Sequence, residues 1–146
     1  MKILVSACLM GESCRYDGKS NCIGLQDKYP HLTFVKVCPE VMGGLPVPRS
    51  GAEISKNQVI TLGGDDVTKE FAKGAQKALE VALKNKCTVA ILKAKSPSCG
   101  SGQIYDGTFT GTLIAGDGVS ATLLKANGIK IFSEKNLEEF EGHLRS

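Results

Sequence analysis

The chain has 146 residues, 42% of them hydrophobic and 23% charged, with a net charge of +3 and no tryptophan. That length holds a single domain, residues 1–146, with one sizeable core, and no segment approaches the roughly 18 apolar residues of a membrane span. The charge is mild, and without a Lys/Arg cluster or an aromatic-studded stripe the chain offers no basic patch or base-stacking platform for nucleic acid.

Along the chain, a short apolar run at Ile3–Ala7 predicts a strand, followed by a loop, "GESCRYDGKS", from Gly11 to Ser20. A short helix is expected within Cys22–Tyr29, stopped by Pro30, and a second strand at Phe34–Val37. "AEISKNQVIT", Ala52–Thr61, alternates on both sides of Lys56–Asn57 and predicts a small hairpin. The clearest helix begins at the N-cap pair Asp65–Asp66 and runs to about Lys86. Its apolar positions Val67, Phe71, Ala75, Ala78, Leu79, Ala82 and Leu83 recur at three and four, so one face packs inward. A third strand follows at Val89–Lys93. Another helix is predicted from Asp117–Gly118 to Asn127–Gly128, a natural left-handed cap, then a fourth strand at Ile129–Phe132 and a weakly helical tail at Leu137–Leu144. The four strands are short and apolar throughout, as strands covered on both faces are. The pattern is an α/β domain with a mainly parallel four-stranded sheet, order 2-1-3-4, flanked by helices and carrying the small hairpin as an insertion.

Six cysteines raise the possibility of a secreted disulfide scaffold. The apolar runs already supply a core, and the stretch before "VSAC" is too short for an export signal. The chain is therefore expected to be cytoplasmic, with reduced thiols. Cys8, Cys38 and Cys99 each lie at or just past the C-terminal end of a predicted strand, beside Pro or Gly or, for Cys8, three residues before Gly11. Parallel strands gather such ends on one edge, where ligands bind. A free cysteine is usually a buried small hydrophobe, but three at corresponding strand ends favour a shared ligand. Cys22 and Cys87 are expected to be structural, while Cys14 lies in a loop near Cys8 and is within plausible reach of the same centre.

The loop Gly11–Ser20 resembles a P-loop but has six residues between Gly11 and Gly18 where that motif has four, so only Arg15 and Lys19 remain as anion-binding candidates. "GSGQIYDG" fails the dinucleotide fingerprint at Tyr105. His31 and His143 are expected to be solvated. Glu40, two residues past Cys38, is the placed acid–base candidate, and Ser96 and Ser98 flank Pro97 beside Cys99. Arg15 and Arg49 are the candidate substrate-binding cations, although Arg49 and Glu53 are close enough in sequence to pair with each other.

The blocks "VSACLMGESCRYDG", "VCPEVMGGLPVPRSGAEI", "DVTKEFAKGAQKAL", "LKAKSPSCGSGQIYDGTFTG", "GDGVSATLL" and "GIKIFSE" resemble, in order, the thiouracil desulfidase (TudS-like) family over nearly the whole chain. That resemblance implies a 4Fe–4S cluster held by Cys8, Cys38 and Cys99, with one iron lacking a protein ligand. It also implies Glu40 as the important glutamate and a serine of "SPSC", Ser96 in preference to Ser98. Two positions depart from the family pattern: Ser50-Gly51 where relatives often carry another proline, and Cys14 where they carry an apolar residue.

Those parts permit a non-redox desulfidase, a C–S hydrolase or lyase. An open iron binds the soft sulfur of a thiouracil-type thiocarbonyl, Glu40 activates a water, and a serine orients that water or donates to the developing anion. Hydrosulfide and the oxygenated pyrimidine leave. The expected partner is a small thiolated pyrimidine. Thiolated tRNA shares the reactive group but finds no basic patch, and no membrane is involved. The alternative is a non-catalytic iron–sulfur or zinc protein, a redox sensor, with Cys14 completing the metal's ligands. A nucleophilic-cysteine hydrolase built on Cys99 ranks last, because neither histidine is placed to activate a thiol.

Overall fold

The computed structural model describes residues 1–20 and 22–145. Its centre is a parallel sheet of β1 (Lys2–Ser6), β2 (Thr33–Val37), β5 (Val89–Leu92) and β8 (Lys130–Ser133), in the order β2-β1-β5-β8. That is the expected 2-1-3-4 order, with register pairs such as Leu4↔Val35, Leu4↔Ala90 and Ile91↔Phe132. The direction of winding reverses beside β1.

The apolar runs of β1 and β5 have no polar face because each pleat side meets helices. One side carries Leu4, Ala90, Leu92 and Ile131 against Ala78, Leu79, Ala82, Ala121 and Leu124 of α3 (Thr68–Lys84) and α4 (Val119–Ala126). The other carries Ile3, Val5, Val89, Ile91 and Phe132 against Leu25 of α1 (Leu25–Lys28) and Phe140 of α5 (Leu137–Arg145). Phe140 stands edge-on to both Tyr29 and Phe132, with ring centroids 5.4 and 5.7 Å away, the arrangement aromatic quadrupoles prefer. Among the described residues, no helix is long and apolar enough to cross a membrane.

The hairpin of β3 (Ala52–Ser55) and β4 (Gln58–Thr61) turns where expected, with Lys56 and Asn57 both at positive φ, as a tight two-residue hairpin turn requires. The long helix differs at both ends from its sequence pattern. It starts at Thr68, and the carboxylate of Asp66 accepts the Thr68 N–H and hydroxyl, while neither aspartate caps it from the N-cap position. It ends at Lys84, and Leu83, expected on the inner face, is exposed. Cys22 lies outside the short helix and is exposed, so it is not a packed structural cysteine, whereas Cys87 is buried past the end of α3 as expected.

Two elements escape the sequence pattern. A four-residue helix, α2 (Pro39–Met42), follows β2 at once, and a second hairpin joins β6 (Gln103–Tyr105) to β7 (Leu113–Ala115). α2 crosses α3 at backbone contact. A Cβ on Gly43 would lie 1.9 Å from Glu70 O, and one on Gly74 would lie 1.8 Å from Pro39 O. Only glycine fits at either position, and this crossing fixes where α2 sits over the sheet edge.

Candidate active site

Each strand of the sheet delivers its last residues to the same edge. β1 ends at Ser6 and tightens into a 3-10 turn, Ala7–Met10, that carries Cys8 inward. Gly11, at φ 97°, closes that turn by donating to the carbonyls of Ala7 and Cys8, a left-handed position that glycine fills without a Cβ penalty. Cys38 is the N-cap of α2, with Pro39 at the first helical position and Glu40 in the first turn. Past β5, the Lys93 N–H donates to Ser6 Oγ at 2.9 Å, tying the ends of β1 and β5 together. The chain then turns through Ser96–Cys99, with Ser96 Oγ accepting from Ser98 N at 3.1 Å and Cys99 N at 3.0 Å.

These ends surround a cavity of about 230 Å³. Cys8, Cys38 and Cys99 all line it, with Glu40, Ser96, Arg15 and Arg49. The two candidate serines separate. Ser96 faces the cavity, whereas Ser98 is fully buried against Ser120, their Oγ atoms 2.8 Å apart, and does not line it. With both Ser96 lone pairs engaged by backbone N–H groups, its hydroxyl proton is left to donate.

Arg49 does not pair with Glu53. Its Nη2 lies 3.4 Å from Glu40 Oε2 and donates to the Cys14 carbonyl at 3.1 Å, and its Nη1 donates to the Pro46 carbonyl. Glu53 instead accepts the N–H groups of Gly107 and Phe109. The buried guanidinium therefore clamps Glu40 to the loop carrying Cys14. Burial pushes the Glu40 carboxyl above its ordinary pKa, and Arg49 offsets only part of that. Arg15 lines the cavity and pairs with Asp17 at 3.4 Å. Lys19, by contrast, is not among the lining residues.

Cys14 also lines the cavity, its thiol in hydrogen-bonding contact with those of Cys8 and Cys38. That contact holds Cys8 below the usual thiol pKa despite burial. Cys38 is raised by the same neighbour and by burial, and Cys99 is pushed up to about 12 by burial. Among the described residues, no three His, Cys, Asp or Glu side chains gather closely enough for a single metal ion. Three thiols on separate walls of one cavity suit a larger object. Soft thiolates are the donors that iron–sulfur clusters take, so the donor set fits such a group.

Tyr16, Lys95 and Tyr105 also line the cavity and were not anticipated as site residues. The positive φ of Lys95 (67°) turns the chain into the Ser96 loop, but no residue pattern announces that position. Tyr16 shares the block "RYDG" with Arg15, which was the one available signal.

The chain matches the model of the 2-thiouracil desulfurase family over residues 3–136. It is 41% identical over 151 aligned positions to the uncharacterised protein YbbK of Bacillus subtilis (strain 168), covering 94% of this chain and 98% of that one. It is also similar to the solved structure of the 4Fe–4S-dependent thiouracil desulfidase TudS, at 45% identity and a TM-score of 0.90, covering 99% of this chain and 97% of that one.

Proposed function

Because the chain belongs to the 2-thiouracil desulfurase family, we propose that it removes sulfur from a thiouracil-type thiocarbonyl at a 4Fe–4S cluster held by Cys8, Cys38 and Cys99. The observation that carries this is the meeting of those thiols with Glu40 and Ser96 around one cavity at the sheet edge. When bound, the cluster would supply a soft Lewis-acid iron for the thiocarbonyl sulfur.

The chain's own groups do the remaining work. Glu40 takes a proton from the attacking water, and its raised pKa makes it a stronger base than a solvated carboxylate. Arg49 holds that carboxylate in place from the side of the Cys14 loop. The Ser96 hydroxyl, fixed by the Ser98 and Cys99 N–H groups, orients the attacking water or donates to the developing anion. Arg15 and Arg49 are the arginines proposed to meet the pyrimidine, and Lys93 and Lys95 line the same cavity. The sum is hydrolytic: water enters, hydrosulfide leaves, and the ring keeps the oxygen.

Anaerobic reconstitution with iron and sulfide, followed by measurement of sulfide released from a panel of thiopyrimidines, tests this directly. Protein that takes up the cluster yet releases no sulfide from any of them would refute it. A second reading, a closed and non-catalytic cluster, is favoured by the presence of Cys14 in the same cavity. In that case added sulfide would leave the spectrum of the reconstituted protein unchanged.

A further inference from the structure

Four thiols line the cavity, and the proposed ligand set uses three. The fourth, Cys14, touches Cys8 on one side and Cys38 on the other. It is more exposed than Cys8, and its segment, residues 11–24, holds no strand or helix among the described residues. Its carbonyl is tethered by Arg49 Nη2 at 3.1 Å and by Cys38 Sγ at 3.7 Å. Cys14 also packs against the apolar cluster that holds Cys8 and does not include Cys38. Cys8 is only six residues away, so linking it to Cys14 closes a much shorter loop than linking Cys38 would.

We propose that Cys14 and Cys8 form a disulfide when the cluster-free chain meets a small-molecule disulfide, and that this bond closes the site to a cluster until it is reduced. One thiolate of the pair attacks one sulfur of the oxidant, giving a mixed disulfide and releasing one small thiol. The other thiol, its proton lost to water, then attacks the protein sulfur of that mixed disulfide and releases the second small thiol. Two protein thiols are oxidised and one small disulfide is reduced. The link itself follows from the contact of the two sulfurs; only its effect on cluster uptake rests on the proposed function.

The test treats cluster-free protein with oxidised glutathione, alkylates the remaining thiols, and maps the tryptic peptides. Cys8 and Cys14 fall in one peptide, Ile3–Arg15, with Cys38 in another. The expected peptide lacks two hydrogens and carries no alkyl group, whereas in Cys14→Ser Cys8 retains an alkyl group or glutathione. Oxidised wild type should then fail to gain the cluster's visible absorption from iron and sulfide until dithiothreitol is added, and oxidised Cys14→Ser should gain it without reductant in proportion to the Cys8 that maps as alkylated rather than glutathionylated. A Cys14–Cys38 link, or separate mixed disulfides on Cys8 and Cys14, would overturn the proposal. So would oxidised wild type that takes up a cluster with the link intact. Reduced wild type that never takes up a cluster would overturn the functional reading and leave the mapped disulfide standing.

Discussion

Replacing Gly74 by alanine tests how the long helix sets the position of the site. In a helix interior this change ordinarily stabilises by about 1 kcal/mol. Here the added Cβ would fall 1.8 Å from Pro39 O and 2.6 Å from Pro39 C. Both are backbone atoms, so no side-chain rotation relieves the contact. Restoring an ordinary separation of 3.4 Å requires α2 to move by about 1.6 Å. Overpacking of this kind costs typically ~1–3 kcal/mol. With the clash at the upper end of that range, the net loss after the helix gain is about 2 kcal/mol. For a chain of this size that lowers Tm by roughly 4–8 °C. Because α2 carries Glu40 and is capped by Cys38, desulfidase activity should fall more steeply than stability, since a misplacement of about 1 Å can cost ~10²-fold in rate. A thermal melt and a sulfide-release assay on the same preparation measure both. Gly142→Ala in α5 is the control, because a Cβ there meets nothing within 4 Å. It should raise Tm slightly. A Gly74→Ala protein with raised Tm and full activity would refute the claim that the α2–α3 crossing positions the site.

Glu40→Gln should keep the cluster's absorption and slow sulfide release by ~10²–10⁴-fold, the usual contribution of a positioned base; an unchanged rate would remove Glu40 from the proton transfer. Ser96→Ala should slow turnover and leave the Ser98 and Cys99 N–H groups unpaired, whereas Ser98→Ala should cost about 1 kcal/mol of stability through the lost Ser120 bond and spare the rate. Equal rates in the two serine variants would contradict the separation of Ser96 from Ser98. Asp117 accepts from Lys125 Nζ at 2.9 Å and from the Gly102 N–H at 2.8 Å, and these outweigh burial to hold its carboxyl below the ordinary range. A depressed folded pKa adds stability above the unfolded value of about 3.9, lost as pH falls through the folded value. The stability gap between wild type and Asp117→Asn, measured by urea unfolding, should therefore shrink as pH drops below about 4; a gap that widens there would show the sign to be wrong.

The sheet and its order were legible because β1 and β5 are covered on both faces, which leaves their runs uninterrupted by polar residues. The positions of Cys8, Cys38 and Cys99 were legible for a related reason: parallel strands send their C-terminal ends to one edge, so residues far apart in sequence become neighbours without any local signature. α2 was missed because four residues give no periodicity, although Pro39 at its first position and Gly43–Gly44 after its end were start and stop signals in plain view. β6 and β7, at three residues each, were too short to show alternation between glycine, threonine and serine.

The partner of Arg49 shows where reading along the chain fails in principle. Glu53 is four residues away and Glu40 nine, so sequence distance favours Glu53. β3 begins at Ala52 and carries Glu53 toward the 107–109 loop, where two backbone N–H groups take its carboxylate. Glu40 comes within 3.4 Å of Arg49 only because α2 rests against α3 through Gly43 and Gly74. The placement of the proposed base thus depends on two glycines whose local role looks like helix termination at one and a mere propensity penalty at the other. A buried carboxylate needs its charge partner, and the backbone crossing decides which glutamate meets Arg49.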